Sequence, residues 1–263
     1  GPARESACTV FSRFPAHGRG GREDRMLYVT GDTHGDLERF RRADVRRLKK
    51  EDTLIVLGDF GFFWDDGKAE QAARAWLEKR PYRILFLDGC HENYDLLRRY
   101  APQEGFGGQV CPIGGNLYYV PRGQVLELED KKLLCFGGGQ SEDRFERTAG
   151  ENWWPEELPS DEEMAACRER LAACGNKVDF ILTHDAGEKL MDFANVKPED
   201  ISPLNLFFDS LLDTVTYDKW IFARYHRDLT VSPKTRCVFQ DLVPLTEKPK
   251  HRWFSGKARH AAK

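Results

Sequence analysis

Short apolar segments alternate with charged segments of helical periodicity in the first part of the chain. The predicted strands cover residues 27–29, 53–57 and 82–87, and the predicted helices cover residues 37–49, 69–79 and 94–100. Strands that alternate with helices at this spacing predict βαβ units with parallel strands. Ligand sites in such sheets lie beyond the carboxyl ends of the strands, so the residues that follow each strand are the first candidates for a functional site.

The middle of the chain has a different pattern. Four short apolar segments, at residues 110–113, 117–120, 125–128 and 133–136, are separated by turn-forming residues, which predicts a meander of antiparallel strands. Ser160 and Glu163 form a capping box that opens a predicted helix over residues 161–174. Further strands are predicted at residues 178–182, 219–222 and 235–242, with a helix at 204–212.

The length of 263 residues is enough for one large domain with a substantial core. We predict a single domain over residues 26–245, preceded by a leader or vector-derived segment at 1–25 and followed by a basic tail at 246–263. The longest apolar runs have about four residues, far below the ~20 needed to cross a bilayer. The seven cysteines include no CxxC pair, which argues against a disulfide framework and for a cytoplasmic location.

Charge is unevenly distributed along the chain. Of the net charge of −3, residues 1–25 carry +2 and residues 248–263 carry +6, so residues 26–247 carry −11. An acidic body does not favour general binding of nucleic acid, although the basic tail leaves that partner as an alternative. We expect no membrane partner, and the sequence leaves the oligomeric state open.

Histidines and aspartates follow the predicted strands. The histidines concerned are His34, His91, His184 and His226, and the aspartates are Asp32 and Asp59. A lone histidine in such a position is more often structural. Imidazole and carboxylate groups are suitable ligands for Mn, Fe and Zn, and several of them converging on one edge of a sheet predict a metal site.

The order of these residues resembles the motifs of calcineurin-like metallophosphoesterases. That family's DxH, GD, GNH(D/E), H and GHxH motifs are similar to GDTHG at 31–35, GD at 58–59, GCHE at 89–92, TH at 183–184 and ARYH at 223–226. The resemblance covers residues 26–245, and the segments GDFGFFW and NWWPEE further resemble a small bacterial or phage branch. It implies an α/β fold of four layers, αββα, with two mixed sheets flanked by helices and two metal ions held by the loops at the strand ends.

The resemblance also implies a role for each matching residue. The first ion would be bound by Asp32, His34, Asp59 and His226, and the second by Asp59, His184 and Cys90. His91 would lie off the metals and face the leaving-group oxygen, as a hydrogen-bond donor or general acid. We expect Mn²⁺, with Fe, Zn, Mg and Ni as alternatives, and a phosphorylated small molecule or nucleotide as substrate.

Two departures from the family pattern affect the second ion. Cys90 replaces the Asn of GNH, and Arg224 replaces the first His of GHxH, where Ala223 also replaces Gly. Cys90 can ligate as a thiolate, whereas Arg224 offers no lone pair. Within ~4 Å of a divalent ion its charge would cost roughly 8 kcal/mol at an effective dielectric constant of about 20. Either Arg224 turns away from the ion, or the second ion is weak or lost.

Three interpretations of these departures stay open. In the first, which we expect, the protein is a metallophosphoesterase that hydrolyses phosphomonoesters or phosphodiesters with a metal-activated water. Its first ion would be bound strongly and its second weakly, its activity would be reduced, and Arg224 would supply positive charge to the substrate phosphate in place of the second ion. His91 and Arg224 would be its catalytic and substrate-binding residues. In the second, the site is non-hydrolytic and binds a phosphate, a nucleotide or a protein. In the third, an engineered or locally remodelled site still holds two ions by borrowing another ligand.

Overall fold

The computed structural model describes residues 25–246 of the chain. The predicted leader at 1–25 and the basic tail at 246–263 therefore lie outside the described residues, except for Arg25 and Thr246.

The described residues form thirteen strands and five α-helices. The strands are β1 Leu27–Thr30, β2 Thr53–Val56, β3 Arg83–Phe86, β4 Gln103–Gly105, β5 Gly108–Gly114, β6 Leu117–Tyr119, β7 Gln124–Leu128, β8 Lys131–Phe136, β9 Phe180–Thr183, β10 Lys219–Phe222, β11 Leu229–Ser232, β12 Thr235–Cys237 and β13 Val243–Pro244. The helices are α1 Glu38–Arg41, α2 Lys68–Glu78, α3 Tyr94–Leu97, α4 Asp161–Ala173 and α5 Pro203–Thr214. Short 3₁₀ turns connect several of them.

The strands form two mixed sheets. The first has the order β13-β1-β2-β3-β6-β5-β4, and the second has the order β11-β12-β10-β9-β8-β7. Strands β1, β2, β3 and β6 are parallel, as are β8, β9, β10 and β12, whereas the outer strands pair antiparallel. Each sheet therefore has a parallel centre. In the first sheet, the parallel pairing of β1, β2 and β3 was predicted from the alternation of strands and helices.

Three apolar clusters define the layers. Side chains that alternate along a strand point to opposite faces of its sheet, so Ile55 of β2 packs between the two sheets while Leu54 and Val56 face outward. Helices α1, α2 and α3 cover the outer face of the first sheet, and α4 and α5 cover that of the second. The four-layer αββα sandwich is therefore confirmed.

Two predicted elements are interrupted by tertiary contacts. The helix predicted at 37–49 ends after α1 because Arg42 is extended, with ψ at 148°, and its guanidinium donates to the Gln240 carbonyl. The strand predicted at 235–242 ends at Cys237, because the Asp228 carboxylate accepts hydrogen bonds from the backbone of residues 239–241 and turns the chain.

The predicted meander is also divided. Strands β5 and β6 pair in the first sheet and β7 and β8 pair in the second, so the chain crosses between the sheets at residues 120–123. Gly123 makes this crossing with φ at 71°, a backbone conformation that glycine adopts at little cost. Strands β4, β11 and β13 were not predicted.

The predicted start of one helix agrees with the structure. Helix α4 opens with both hydrogen bonds of the Ser160–Glu163 capping box. Within residues 25–246, no helix has the length and apolar character needed to span a membrane.

Candidate metal centre

The candidate residues meet where the parallel strands of both sheets end. Asp32 and His34 follow β1, Asp59 follows β2, Cys90 and His91 follow β3, His184 follows β9, and Arg224 and His226 follow β10. Five loops therefore approach one another, and the loop after β8 joins them because the Gln140 carbonyl accepts from Arg224. These loops bring together residues as far apart in sequence as Asp32 and Arg224.

Asp32, His34 and His226 form the first cluster. His226 Nε2 lies 3.0 Å from Asp32 Oδ2, His34 Nε2 lies 3.7 Å from the same oxygen, and the two Nε2 atoms are 2.9 Å apart. Asp32 Oδ2 is buried and accepts no well-directed hydrogen bond from the described residues. A buried carboxylate oxygen without such a bond is costly, and a cation between these three atoms would satisfy it, so these residues fit a metal ion.

Asp59, Cys90 and His184 form the second cluster. His184 Nε2 lies 3.5 Å from Asp59 Oδ1, and Cys90 Sγ lies 3.6 Å from Asp59 Oδ2 and 3.9 Å from His184 Nε2. His184 Nδ1 lies 2.9 Å from the Leu57 carbonyl, which can only accept, so Nδ1 carries the hydrogen. The lone pair of Nε2 therefore faces the cluster, as in a metal-ligating histidine.

Asp59 links the two clusters. Its carboxylate oxygens also come within 4.8 Å of ligand atoms of His34 and His91. Burial opposes the ionisation of Asp59, but the neighbouring His184 and His91 hold its pKa below the usual value. An ionised carboxylate in this position is suited to bridge two cations.

The loops that carry these ligands are tied together. Thr33 N and His34 N donate to the Asp59 carbonyl at 3.1 and 2.8 Å, and the buried Glu92 carboxylate accepts from Phe60 N at 2.5 Å. Contacts of this kind orient the ligand side chains before any ion binds.

Four candidate residues have a left-handed backbone. The φ angles are 46° at His34, 42° at Asp59, 64° at Arg224 and 49° at His226. Such a conformation costs about 1–3 kcal/mol in a residue other than glycine, and it concentrates at functional sites. Gly89 is required for a different reason, because a Cβ there would lie 2.0 Å from Asp59 Oδ1.

His91 lies beside the second cluster and contacts an arginine. Its Nδ1 lies 2.8 Å from Asp59 Oδ2, and this interaction raises the pKa of His91 although burial opposes the shift. Its Nε2 lies 3.1 Å from Nη2 of Arg147. Sequence reasoning missed Arg147 because it belongs to no motif and lies 56 residues away.

The Arg224 backbone N donates to Asp32 Oδ1 at 3.1 Å, and its guanidinium binds a buried carboxylate. Nη1 donates to Asp185 Oδ2 at 2.7 Å, and Nη2 donates to the Gln140 carbonyl. Burial disfavours the guanidinium charge, but Asp185 outweighs this effect and raises the pKa of Arg224. Asp185 was another residue that sequence reasoning missed, although it follows His184 directly.

A cavity of about 750 Å³ lies outside this centre, and its lining includes Tyr94, Tyr119 and Arg122 but none of the candidate ligands. Arg122 is buried and donates through Nε and Nη2 to Asp88 Oδ2 at 2.8 and 2.6 Å. Tyr94 donates to the Gly89 carbonyl at 2.6 Å. The cavity wall therefore supports the loop that carries Cys90.

The family model described as calcineurin-like phosphoesterase matches residues 26–188, more than half of the chain. The chain belongs to this family. The family and its arrangement of two sheets, both predicted from the motifs, are therefore confirmed. Metal-dependent phosphoester hydrolysis is the general activity of this calcineurin-like phosphoesterase family, and the two clusters supply metal-ligating groups for it. The match ends before Arg224 and His226, so their place beside the other candidates rests on the distances given above.

Two solved structures are similar to this chain. The phosphopantetheinyl hydrolase of Mycobacterium tuberculosis is 14% identical, with a TM-score of 0.42, over 83% of this chain and 89% of its own. A Staphylococcus aureus protein described as a 5′-nucleotidase, in complex with alpha-ketoglutarate, is 14% identical, with a TM-score of 0.46, over 82% of this chain and 48% of its own. No curated protein matches the chain.

Proposed function

We propose that this protein hydrolyses phosphomonoester or phosphodiester bonds in a phosphorylated small molecule or nucleotide, with one firmly bound and one weakly bound divalent ion. The observation that carries the proposal is the buried Asp32 Oδ2, which faces the Nε2 atoms of His34 and His226 without a well-directed hydrogen bond. Bound ions would polarise the phosphoryl oxygen and activate the attacking water.

The distances between the ligand atoms assign each residue to one of the two proposed ions. Asp32, His34 and His226 would hold the first ion, with Asp59 as a further ligand that bridges to the second. Asp59, Cys90 and His184 would hold the second ion, which lacks the histidine that the family motif places at Arg224. With three protein ligands instead of four, the second site would bind its ion less tightly than the first.

His91 and Arg224 would act on the substrate. Asp59 orients the His91 ring through Nδ1, which leaves Nε2 to donate to the leaving-group oxygen once it is protonated. Arg224 keeps N–H groups beyond those bound to Asp185 and Gln140, and its charge lies close enough to Cys90 to lower the pKa of that thiol against the larger effect of burial. Its contribution to phosphate binding stays a prediction.

Metal content and turnover together test the proposal. Protein equilibrated with Mn²⁺ should retain at least one ion per chain by plasma emission, and it should hydrolyse p-nitrophenyl phosphate or bis-p-nitrophenyl phosphate in a chelator-sensitive reaction. Bound metal and phosphate binding without turnover of any phosphoester would favour the non-hydrolytic alternative. Protein that retains no ion would contradict the proposed metal-dependent hydrolysis.

Cys90 is expected to ligate the second ion as a thiolate. Thiolates bind Zn²⁺ and Co²⁺ well, so Co²⁺ at two equivalents should produce a sulfur-to-metal charge-transfer band in the near ultraviolet. Cys90→Ser should remove this band and lower the affinity of the second site for its ion. Loss of a residue that only hydrogen-bonds to a ligand lowers metal affinity roughly 10- to 100-fold, and loss of a ligand itself should cost at least as much. Absorption titration with Co²⁺ measures both effects.

Cys174 provides the matched control for this experiment. It is also a partly buried free cysteine, but its Sγ donates to the Leu171 carbonyl at the end of α4. Cys174→Ser should keep the band. A band that persists in Cys90→Ser would show that Cys90 is not a ligand.

Restoring the family's ligands should strengthen the second site. Arg224→His combined with Cys90→Asn and Ala223→Gly supplies an imidazole and an oxygen ligand and removes a positive charge. The triple variant should retain two ions per chain at Mn²⁺ concentrations at which the unmodified protein retains one, as measured by plasma emission. Arg46→His, which changes an exposed arginine, should leave the stoichiometry unchanged. Two fully occupied metal sites in the unmodified chain would contradict the premise that the second site is weak.

A further inference from the structure

The loop of residues 139–153, between β8 and α4, is anchored beside the metal centre. Ser141 Oγ lies 3.3 Å from the Cys90 carbonyl oxygen. Ser141 is held by the buried Glu157, which accepts from Ser141 N and Oγ at 2.8 and 2.5 Å. The loop therefore starts from a defined position next to Cys90, and its later residues are placed against His91.

Arg147 is the residue of this loop that contacts His91, and its present partners are weak. Besides His91 Nε2, it pairs with Asp143 at 2.7 Å and donates to the Asn152 carbonyl at 3.2 Å. Asp143 is 49% exposed while Arg147 is 17% exposed, so water screens the ion pair. A guanidinium binds phosphate oxygens more strongly than an imidazole nitrogen or a screened carboxylate.

Phe145 lies two residues before Arg147, in the 3₁₀ turn Arg144–Glu146. Its side chain is 86% exposed, the most exposed large apolar side chain of the described residues. The Arg144 guanidinium carbon lies 4.3 Å from the ring centroid. An exposed aromatic ring so close in sequence to an anion-binding group offers a stacking surface for a planar group attached to the anion.

We propose that residues 144–147 form a substrate subsite in which Arg147 binds a phosphate oxygen and Phe145 stacks on a planar ring of the same substrate. The inference rests on the proposed phosphoesterase function and adds to it a preference for phosphoesters that carry an aromatic group. When substrate binds, Arg147 exchanges Asp143 and His91 for the phosphate, which leaves His91 Nε2 free to face the leaving group.

The pair Arg147→Ala and Asp143→Asn separates this role from a structural one. If Arg147 only holds the loop through Asp143, both variants should impair the enzyme alike. If Arg147 binds substrate, Arg147→Ala should raise KM for p-nitrophenyl phosphate roughly 10- to 100-fold, with most of the loss in KM and not in kcat. Asp143→Asn should leave KM unchanged or lower it, because a competing carboxylate is gone, and Arg147→Lys should recover part of the loss.

Phe145 is tested with two substrates. Phe145→Ala should raise KM for p-nitrophenyl phosphate and leave KM for glycerol phosphate unchanged, whereas Leu206→Ala, at another exposed apolar side chain, should change neither. An equal effect on both substrates, or none on either, would overturn the stacking role.

The affinity for inorganic phosphate tests the subsite separately from the proposed hydrolytic function. Calorimetry of the metal-loaded protein with inorganic phosphate should show weaker binding in Arg147→Ala than in the unmodified chain, whether or not any ester is hydrolysed. Unchanged phosphate affinity and unchanged KM in Arg147→Ala would overturn the subsite and leave the phosphoesterase function standing. Weaker phosphate binding in a chain without turnover would support the anion-binding role of Arg147 and overturn the hydrolytic function.

Discussion

Asp59→Asn is expected to remove at least one bound ion per chain and to reduce phosphoesterase activity to background. Asp59 is buried, its pKa is held low by the imidazoles around it, and its two oxygens face Cys90, His91 and His184. The substitution keeps the shape of the side chain but removes its negative charge and replaces one acceptor oxygen with a donor. In its proposed role as a bridging ligand, Asp59 would hold both ions, so this single change should have the largest effect of any in the site.

Asp52→Asn is the matched control for Asp59→Asn. Asp52 is equally buried, but it lies at the start of β2, where its carboxylate accepts from Met26 N and Lys49 N at 3.1 and 2.8 Å. Its amide variant should retain metal even if thermal stability falls. Plasma emission measures the metal content of each variant, and thermal denaturation shows whether the variant is folded. Unchanged metal stoichiometry in folded Asp59→Asn would show that the ligand assignment is wrong.

His91→Ala is expected to lower kcat by roughly 10² to 10⁴, the range typical of a general acid, while metal content stays near that of the unmodified protein. His91 Nδ1 is bonded to Asp59, and its Nε2 faces Arg147 and not the second cluster. His91→Gln keeps a hydrogen-bond donor within reach of Asp59 but cannot transfer a proton at neutral pH. It should therefore retain metal and lose turnover to a similar extent.

The opposite result for His91 has a defined meaning. His34, Asp59 and His91 also bring their ligand atoms within 4.8 Å of one another, a spacing that fits a metal ion. Parallel loss of metal and activity in both His91 variants would assign it as a ligand. Metal content measured alongside steady-state kinetics separates the two roles.

Elements that rest on local pattern were predicted well. The strands β1, β2, β3, β9 and β10 form close to the predicted positions, because each is a short apolar run bounded by turn residues or charges. Helix α4 begins at its capping box because Ser160 and Glu163 satisfy backbone groups within their own turn.

Elements that depend on distant partners were predicted poorly. Residues 37–49 contain charged and apolar residues at helical spacing, but Arg42 gains a contact with Gln240 that lies 198 residues away. Strand β13 has only two residues, too few for a recognisable pattern, and it forms because it pairs with β1. Strands β6 and β7 lie in different sheets. No local signal in the sequence shows that they do not pair with each other in one sheet.

The candidate site divides in the same way. Its histidines and aspartates could be found from the sequence because parallel strands end at a common edge and the order of the motifs matches a known family. Arg147 and Asp185 could not be found, because an arginine in a loop or an aspartate after a strand is common without any such role.

The amino-acid sequence was enough to predict the family, the two-sheet architecture and the residues at the strand ends, because each depends on short-range pattern or on motif order. Sequence pattern could not place the guanidinium of Arg224, because its partners Asp185 and Gln140 come from other loops. The buried Asp185 carboxylate neutralises the guanidinium, and a buried cation is stable where it is paired in this way. The strength of the second ion stays a prediction. The tertiary structure likewise placed Arg147 against His91, because that contact joins two loops that no local rule connects.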